Sequence, residues 1–221
     1  MFIFRLITVF WLFVIVAVLS CSSTGGGTVD TTQKYEEMLY SVVSIATDRA
    51  SGSGVVVEQD GDTLYILTVK HLTKKAKHFT VTFYPSGETA EAEFVKKSKD
   101  FDLSLLRLKH KHEYVAKLKD PREMNVFEEV WKIGASLSLP ETRATKGIVS
   151  QINDYEFLID ANIIWGDSGG GIFAKVKGHY VLVGISKSIA MTKHNMGVIP
   201  VFHIGAVVDR YAIDEFYKQK D

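Results

Sequence analysis

The sequence contains little cysteine, little proline and no net charge. Cys21 is the only cysteine among 221 residues, so no internal disulfide can hold the fold together. With 4 prolines and 46% hydrophobic residues, the composition excludes disordered, collagen-like and low-complexity proteins. Lys and Arg together number 26, as do Asp and Glu, so no net positive charge indicates a nucleic-acid partner. The composition is that of a packed globular protein.

The longest apolar run lies at the N-terminus. Arg5 precedes an apolar or weakly polar stretch from Leu6 to Leu19. A helix of this length would span about 21 Å, which is short of a hydrocarbon core of roughly 30 Å. We therefore predict that residues 1–20 form a signal peptide, with a signal anchor as an alternative.

The residues that follow the apolar run favour a lipid anchor. Val18-Leu19-Ser20-Cys21 resembles the bacterial lipobox, and this resemblance implies lipidation of Cys21. Residues 21–34 are mostly small and polar, which predicts a flexible tether of the kind that holds a domain off a membrane surface. We expect an exported protein, lipid-anchored at the bacterial cell envelope, with plain secretion as the alternative.

The rest of the chain consists mainly of short runs of β-branched and apolar residues separated by turn signals. The first six runs cover residues 41–47, 54–59, 63–69, 79–85, 90–97 and 103–109. The second six cover residues 129–135, 145–152, 156–161, 170–176, 180–188 and 196–202. Two sets of six strands without long helices predict an all-β protein of two six-stranded antiparallel barrels, over 35–112 and 129–203, joined by a connection at 113–128.

The C-terminal segment shows a different period. Ile204, Val207, Val208 and Tyr211 recur at helical spacing. The pattern predicts a C-terminal α-helix over residues 204–221.

A glycine-rich serine motif, Gly166-Asp167-Ser168-Gly169-Gly170, is the clearest chemical signal. Glycines on both sides of a serine allow a tight turn that exposes the hydroxyl and converges backbone N–H groups. The letters also fit the nucleophile elbow of α/β-hydrolases, which require Ser, then an acid, then His along the chain. All histidines after Ser168 precede Asp209, the first carboxylate after it, so that order is excluded.

The reverse order, His then Asp then Ser, is available. Thr68-Val69-Lys70-His71 ends a predicted strand, and Asp102-Leu103-Ser104-Leu105-Leu106 begins another. Together with the motif at 166–170, spaced 31 and 66 residues apart, these segments resemble those of the chymotrypsin-like (trypsin-fold) serine proteases. The resemblance covers residues 41–203.

Further segments resemble the bacterial high-temperature-requirement (Deg-type) branch of that family. They are SVVSI at 41–45, TKGIVS at 145–150 and the stretch leading into the serine at 158–173. The chain ends soon after the last predicted strand, so we expect no PDZ domain.

The resemblance implies a catalytic triad and an oxyanion hole. Ser168 would be the nucleophile, His71 the general base and Asp102 the carboxylate that orients it. The backbone N–H groups of Gly166 and Ser168 would stabilise the oxyanion. Asp100 is the rival carboxylate, but Asp102 directly abuts the strand, as the family pattern requires. No cofactor or metal is implied.

Asp167 departs from the family's activation pattern. In many members a freed N-terminal amine binds the aspartate before the serine, but no Arg/Lys-Ile-Val-Gly-Gly junction precedes the first predicted barrel here. Asp167 is left to accept backbone hydrogen bonds or to pair with a basic side chain, and the sequence leaves both open.

The resemblance also places a primary specificity pocket. Its predicted lining is Asn162, Ile163, Ile164, Ile185, Ser186, Lys187 and Ser188. No carboxylate is among them, so we expect small or medium apolar side chains rather than Lys or Arg to be accepted. Lys187 would favour acidic residues only if it pointed inward.

Other polar clusters receive simpler interpretations. The basic segments 70–78 and 107–112 are interpreted as solvated loops, and His110 with His112 lacks a clear third metal ligand. We therefore predict a serine endopeptidase that acts on protein or peptide substrates. The alternative is a catalytically silent, protease-like binding module on the cell envelope, and the sequence indicates no oligomeric state.

Overall fold

The computed structural model describes residues 31–118, 124–135, 141–194 and 197–219. The predicted signal peptide, Cys21 and the tether up to residue 30 lie outside these ranges. Within them, no helix combines the length and the hydropathy needed to cross a bilayer. A helix, α1 (Thr31–Tyr40), begins inside the segment predicted as tether and leads into the first strand.

The first sheet contains seven antiparallel strands. They are β1 (Val42–Thr47), β2 (Ser51–Asp60), β3 (Thr63–Thr68), β4 (Phe79–Thr82), β5 (Thr89–Glu91), β6 (Glu93–Lys97) and β7 (Ser104–Lys109). Their order is β5-β4-β1-β2-β3-β7-β6. A single helical turn, α2 (Lys70–Thr73), follows β3.

Residues 90–97, predicted as one strand, instead form two strands with a corner at Ala92. The Ala92 N–H donates to the Phe79 carbonyl at 2.8 Å, and β5 then ends while β6 begins. β5 pairs with β4 at one edge of the sheet, whereas β6 pairs with β7 at the other. The corner therefore joins the two outer strands directly and makes the sheet barrel-like, with seven strands rather than six.

The second sheet is a closed six-stranded antiparallel barrel. Its strands are β8 (Glu129–Gly134), β9 (Arg143–Ile152), β10 (Glu156–Ile159), β11 (Gly171–Val176), β12 (His179–His194) and β13 (Gly197–Asp209). The order β10-β13-β12-β11-β8-β9 closes through the pairing of β9 with β10. The predicted all-β fold of two antiparallel barrels with a short C-terminal helix is confirmed.

The C-terminal helix, α3 (Arg210–Lys218), begins six residues later than predicted. The prediction of helix from residue 204 was wrong because Val207 and Val208 belong to β13, which pairs with β10 on one side and β12 on the other. Two buried β-branched residues suit a central strand as well as a helix face. Asp209 ends the strand and caps the helix, since its carboxylate accepts the Ala212 N–H at 2.8 Å.

Buried apolar side chains form two clusters. The smaller fills the closed barrel, with Phe157 and Ile172 among its members. The larger combines the interior of the seven-stranded sheet with side chains from the closed barrel and with Ile213 and Phe216 of α3. Because α3 continues from β13 and buries Phe216 in the larger cluster, it fixes the two barrels against each other.

Candidate active site

His71 and Asp102 form a close pair at one end of the first sheet. His71 lies on α2, immediately after β3, and Asp102 lies just before β7, which pairs with β3. Asp102 Oδ2 is 2.6 Å from His71 Nδ1, and Oδ1 accepts the His71 backbone N–H at 2.9 Å. A carboxylate accepts hydrogen bonds only, so the ring carries its hydrogen on Nδ1 and Nε2 is left to accept a proton.

The environment of Asp102 keeps it ionised. Burial by itself would raise the pKa of this carboxyl group, but the hydrogen bonds and charge of His71, with a smaller effect of Lys187, hold the pKa below its usual value. The Asp102 side chain is 17% exposed and that of His71 is 49% exposed, so the carboxylate is sheltered while the ring faces the solvent. The ionised carboxylate can stabilise an imidazolium beside it.

The loop that carries Asp102 is fastened by the end of α3. Gln219 accepts hydrogen bonds from Ser98 Oγ and from the Lys99 N–H, both at 3.3 Å. Its Nε2 donates to Asp100 Oδ2 at 2.8 Å. Asp100, the rival carboxylate, therefore binds Gln219, and Asp102 is the carboxylate that contacts His71.

Ser168 lies in a turn that is held by both barrels. Ser53 of β2 donates its N–H to the Ser168 carbonyl at 2.8 Å and its hydroxyl to the Gly166 carbonyl at 2.7 Å. Gly169 has φ 91°, and a Cβ there would lie 2.0 Å from the Ser53 carbonyl oxygen, so glycine is required by both conformation and space. Ser168 Oγ donates to the carbonyl oxygen of Lys187 at 3.2 Å.

Two backbone N–H groups of this turn are available to a ligand. Among the described residues, the N–H groups of Gly166 and Ser168 have no acceptor, whereas the Gly169 N–H donates to the Ser186 carbonyl at 2.8 Å. Gly166 adopts φ 95°, in the left-handed region that favours glycine. Two unpaired N–H groups on either side of Asp167 are an arrangement that can bind an oxyanion.

A cavity of about 610 Å³ brings His71 and Ser168 to one surface. Four residues of the predicted pocket line it: Ile163, Ile164, Lys187 and Ser188. The sequence did not indicate several other lining residues, which are Ala50, Ser51, Leu72, Trp165, Ile189 and Met191. The sequence around Trp165 and Met191 does not indicate that they line a cavity, because the residues that they face in the fold are distant in the chain.

Three predicted pocket residues lie elsewhere. Ile185 is buried in the larger core cluster. Asn162 is exposed, and its carbonyl accepts the hydroxyl of Thr145 of β9. Ser186 is fully buried. Its carbonyl accepts the Gly169 N–H, and its own N–H donates to the Gly170 carbonyl. The strand that approaches the serine turn therefore presents Ser186 inward, and the cavity begins at the next residues.

Lys187 is not a free cation. Its Nζ pairs with Glu156 Oε1 of β10, and both side chains are about one-third exposed. The ammonium group thus neither enters the cavity unpaired nor points freely into solvent. Among the described residues, no carboxylate lines the cavity. The walls that these residues form are therefore mostly apolar.

Asp167 is fully buried and has both kinds of partner that the sequence left open. Its Oδ2 accepts from Lys132 Nζ at 2.6 Å and from the Ile164 N–H at 2.9 Å. Lys132 lies on β8 with its side chain only 2% exposed. Burial lowers the pKa of Lys132, and the charge and hydrogen bond of Asp167 oppose this effect. Lys132 was missed because nothing near it in the sequence marks it as an inward-facing residue.

The histidine pair outside the cavity serves other contacts. His110 Nε2 lies 3.5 Å from Glu88 Oε2, and His112 Nε2 donates to the Tyr40 carbonyl at 2.8 Å. In the described ranges no three His, Cys, Asp or Glu side chains gather as metal ligands would. His112 instead connects β7 with the end of α1.

Comparison with known proteins identifies the family of the matching domain. Residues 52–185, more than half of the chain, match the family model of the trypsin-like peptidase domain. An HtrA-like serine protease of Staphylococcus haemolyticus is 27% identical over 166 residues, which are 66% of this chain and 26% of that protein. The Do-like serine protease HtrB of Bacillus subtilis is 35% identical over 103 residues, 46% of this chain and 22% of that protein.

Solved structures share the fold. A serine endoprotease from Yersinia pestis matches with a TM-score of 0.70 at 24% identity, over 85% of this chain and 65% of that one. The HtrA-type protease AlgW, solved with a tripeptide, matches with a TM-score of 0.67 at 24% identity, over 83% of this chain and 61% of that one. The chain spans about a quarter of the length of the curated relatives above. By its fold and its matching domain, this chain belongs to the family of trypsin-like peptidase domains.

Proposed function

We propose that the protein is a serine endopeptidase that uses Ser168 as nucleophile, His71 as general base and Asp102 to orient and stabilise the imidazole. The observation that carries the proposal is the His71–Asp102 pair at 2.6 Å, on the same cavity as Ser168. Family membership supports the same chemistry.

The chemistry follows from the positions of these groups. Ser168 Oγ attacks the peptide carbonyl while His71 Nε2 removes the hydroxyl proton, and the resulting oxyanion binds the free N–H groups of Gly166 and Ser168. The C–N bond then breaks as His71 returns the proton to the leaving amine. Water, deprotonated by His71, then attacks the acyl carbon, and the bond to Ser168 Oγ breaks as His71 returns the proton to that oxygen. Since the hydroxyl donates to the Lys187 carbonyl, rotation about χ1 redirects it toward the imidazole for attack.

The cavity walls support a preference for apolar side chains beside the cleaved bond. Ile163, Ile164 and Ile189 line the cavity, and among the described residues no carboxylate lines it to bind Lys or Arg. An acidic side chain would have to compete with Glu156 for Lys187. Peptides with a small or medium apolar residue at this position are therefore the expected substrates.

Active-site labelling and peptide cleavage test the proposal together. The full chain should react with a fluorophosphonate probe and cleave peptides with apolar residues faster than matched peptides with Arg or Glu. Ser168→Ala should abolish labelling and lower cleavage by at least about 10³-fold. Ser150→Ala, which removes an exposed hydroxyl of β9 outside this cavity, is the control and should retain both. Efficient cleavage after arginine would contradict the apolar preference. A folded wild-type protein that the probe does not label would contradict the proposed endopeptidase activity.

One contact favours the alternative function, that of a protease-like module that is catalytically silent. Ser168 Oγ is hydrogen-bonded to the Lys187 carbonyl rather than to His71. If that contact persists with peptide bound, the folded protein binds peptides without cleaving them and the probe leaves Ser168 unmodified. The labelling experiment decides between the two functions.

We also propose export and lipid attachment through Cys21, on the sequence pattern alone. The cysteine follows a short apolar run and precedes small polar residues. Metabolic labelling with a fatty-acid analogue should mark the wild-type protein, and Cys21→Ser should lose the label. A variant that still incorporates the analogue would contradict the anchor.

A further inference from the structure

Lys187 holds a distinctive position in the wall of the cavity. It lines the same cavity as His71 and Ser168, and its carbonyl accepts the Ser168 hydroxyl at 3.2 Å. Among the described residues that line this cavity, Lys187 is the only lysine, arginine, aspartate or glutamate. The position of its ammonium group therefore decides whether a bound peptide meets a neutral or a cationic wall.

A β-bulge in β12 sets the direction of the Lys187 side chain. The residues of β13 that lie opposite Ser186 and Ser188 are adjacent in the chain, so Lys187 is an extra residue between two regular pairs. A bulge of this kind changes the direction in which a strand presents a side chain. Since β13 lies between β12 and β10, the Lys187 side chain reaches across one strand to the carboxylate of Glu156 on β10.

The ion pair between Lys187 and Glu156 can open. Both side chains are about one-third exposed, and ion pairs with this exposure are weak and screened by salt. β10 is paired with β13 on one side and β9 on the other, so the short Glu156 side chain is held by the barrel while the longer lysine is the partner that can move. Another carboxylate that reaches Lys187 can therefore compete with Glu156.

The charge of Lys187 already acts close to the proposed chemistry. Burial raises the pKa of Asp102, the hydrogen bonds and charge of His71 lower it, and the charge of Lys187 lowers it further. Both carboxylate oxygens of Asp102 are bonded to His71. Because no carboxylate of the described residues lines the cavity, an ammonium group released from Glu156 would find its partner there in an acidic side chain of a bound peptide.

We propose that Glu156 is a specificity-determining residue, which binds the Lys187 ammonium group on the β10 side and so keeps aspartate and glutamate side chains of the substrate out of the cavity. The inference rests on the proposed function and deepens it, because it names a residue outside the cavity that controls which substrates the same site accepts. The apolar preference then depends on one ion pair as well as on the apolar walls.

Matched peptides test the inference on the full chain. Internally quenched peptides would differ only by Glu or Gln at one of the four positions before the cleaved bond, since glutamine has the size of glutamate without its charge. Glu156→Gln should raise the ratio of kcat/KM for the Glu peptide to that for the Gln peptide by about tenfold at one position, the effect of one charge-assisted hydrogen bond. High salt should reduce this gain.

Two further variants identify the group that binds the acidic side chain. Glu156→Gln combined with Lys187→Met should return the ratio to the wild-type value, and methionine keeps the backbone carbonyl that contacts Ser168. Lys187→Met alone, which leaves the Glu156 charge without its partner, should lower the ratio below that of the wild type. Glu129→Gln, which removes an exposed pair with Lys146, is the control and should match the wild type.

Three results would overturn the inference. The first is a wild-type ratio at all four positions in Glu156→Gln, and the second is a gain that persists in the double variant. The third is a lower kcat for every peptide with an unchanged ratio, which would mean that the released lysine disturbs Asp102 instead of binding substrate.

Peptide binding separates this inference from the proposed activity. In a Ser168→Ala background, fluorescence anisotropy with dye-labelled forms of the same Glu and Gln peptides gives their Kd values without cleavage. Glu156→Gln should tighten binding of the Glu peptide relative to the Gln peptide by a similar factor, and an unchanged ratio of Kd values would count against the role of Glu156. If the wild type neither labels nor cleaves, the proposed endopeptidase fails while these Kd values still judge Glu156.

Discussion

Single residues with an unusual environment concentrate near the cavity. Asp102 is sheltered and kept ionised by His71, and Asp167 is buried against Lys132. Ser53 is a neutral residue with three such contacts. Its N–H donates to the Ser168 carbonyl, and its hydroxyl donates to the Gly166 carbonyl and accepts the Ala135 N–H. Most polar groups buried here have a specific partner, although Ser186 Oγ has none among the described residues.

His112 gives a prediction at the residue scale, for stability against pH. Burial lowers its pKa, and this outweighs the Tyr40 carbonyl, which favours the charged ring; the charges of His110 and Glu113 oppose each other. Below pH 6.5 and down to the lowered pKa, the unfolded chain binds the proton more readily than the folded chain does. The free energy of unfolding should therefore fall as the pH falls through this window.

His112→Gln tests this effect. Glutamine does not titrate and can still donate to the Tyr40 carbonyl, so urea unfolding should show a shallower loss of stability on acidification than in the wild type. His110→Gln, which alters a histidine paired with Glu88, is the control and should leave most of the slope in place. An unchanged slope in His112→Gln would show that other groups cause the loss.

What the sequence revealed about residues followed from chain order and spacing. His71, Asp102 and Ser168 were identified because each lies in a short segment with a recognisable neighbourhood. Lys132 and Trp165 have no such neighbourhood, and their roles arise only when distant strands meet. Lys187 was recognised as a pocket residue, but its partner, Glu156, lies on another strand and could not be read from the pattern.

At the scale of elements, α3 connects the closed barrel to the loop that positions Asp102. Gln219, just after α3, binds Ser98, Lys99 and Asp100. Phe216 anchors the helix in the larger core cluster. The carboxylate that orients His71 is thus held by a segment that follows the last strand of the other barrel.

Gln219→Ala should loosen this loop. Removal of three side-chain hydrogen bonds should speed amide exchange in residues 98–103 and lower kcat by up to about tenfold, with little change in KM, because the Asp102 carboxylate becomes less well positioned. Lys218→Ala removes an exposed pair with Glu215 and serves as the control. Wild-type exchange in 98–103 for Gln219→Ala would refute the fastening role.

Short runs of β-branched and apolar residues predicted most strands, and the prediction failed where one pattern fits two structures. Turn residues between the runs located most of the breaks. Residues 204–209 show helical spacing yet pair with strands on both sides, so tertiary pairing decided their conformation. Residues 90–97 carry no turn signal at Ala92, and the corner is set by the hydrogen bond to Phe79.

At the scale of the whole molecule, the cavity depends on both sheets. The first sheet contributes His71 and Leu72, and the closed barrel contributes Ile163, Ser168 and neighbouring residues. Two sets of strands predicted the two barrels, but no local pattern specifies how two barrels dock. That arrangement follows from the larger core cluster, in which side chains of both sheets pack together.

Close packing behind the turn that carries Ser168 restricts which residues can replace those of the inner cavity wall. A Cβ at Gly134 would lie 2.5 Å from Asp167 Oδ1, and a Cβ at Gly170 would lie 2.3 Å from the Ile133 carbonyl oxygen, so even alanine would force the neighbouring residues to shift. Trp165 and Met191, on the open side, are 66% and 59% exposed and can be exchanged without a clash. Selectivity can therefore diverge between descendants of this chain through the solvent-facing rim, while the inner wall remains the same.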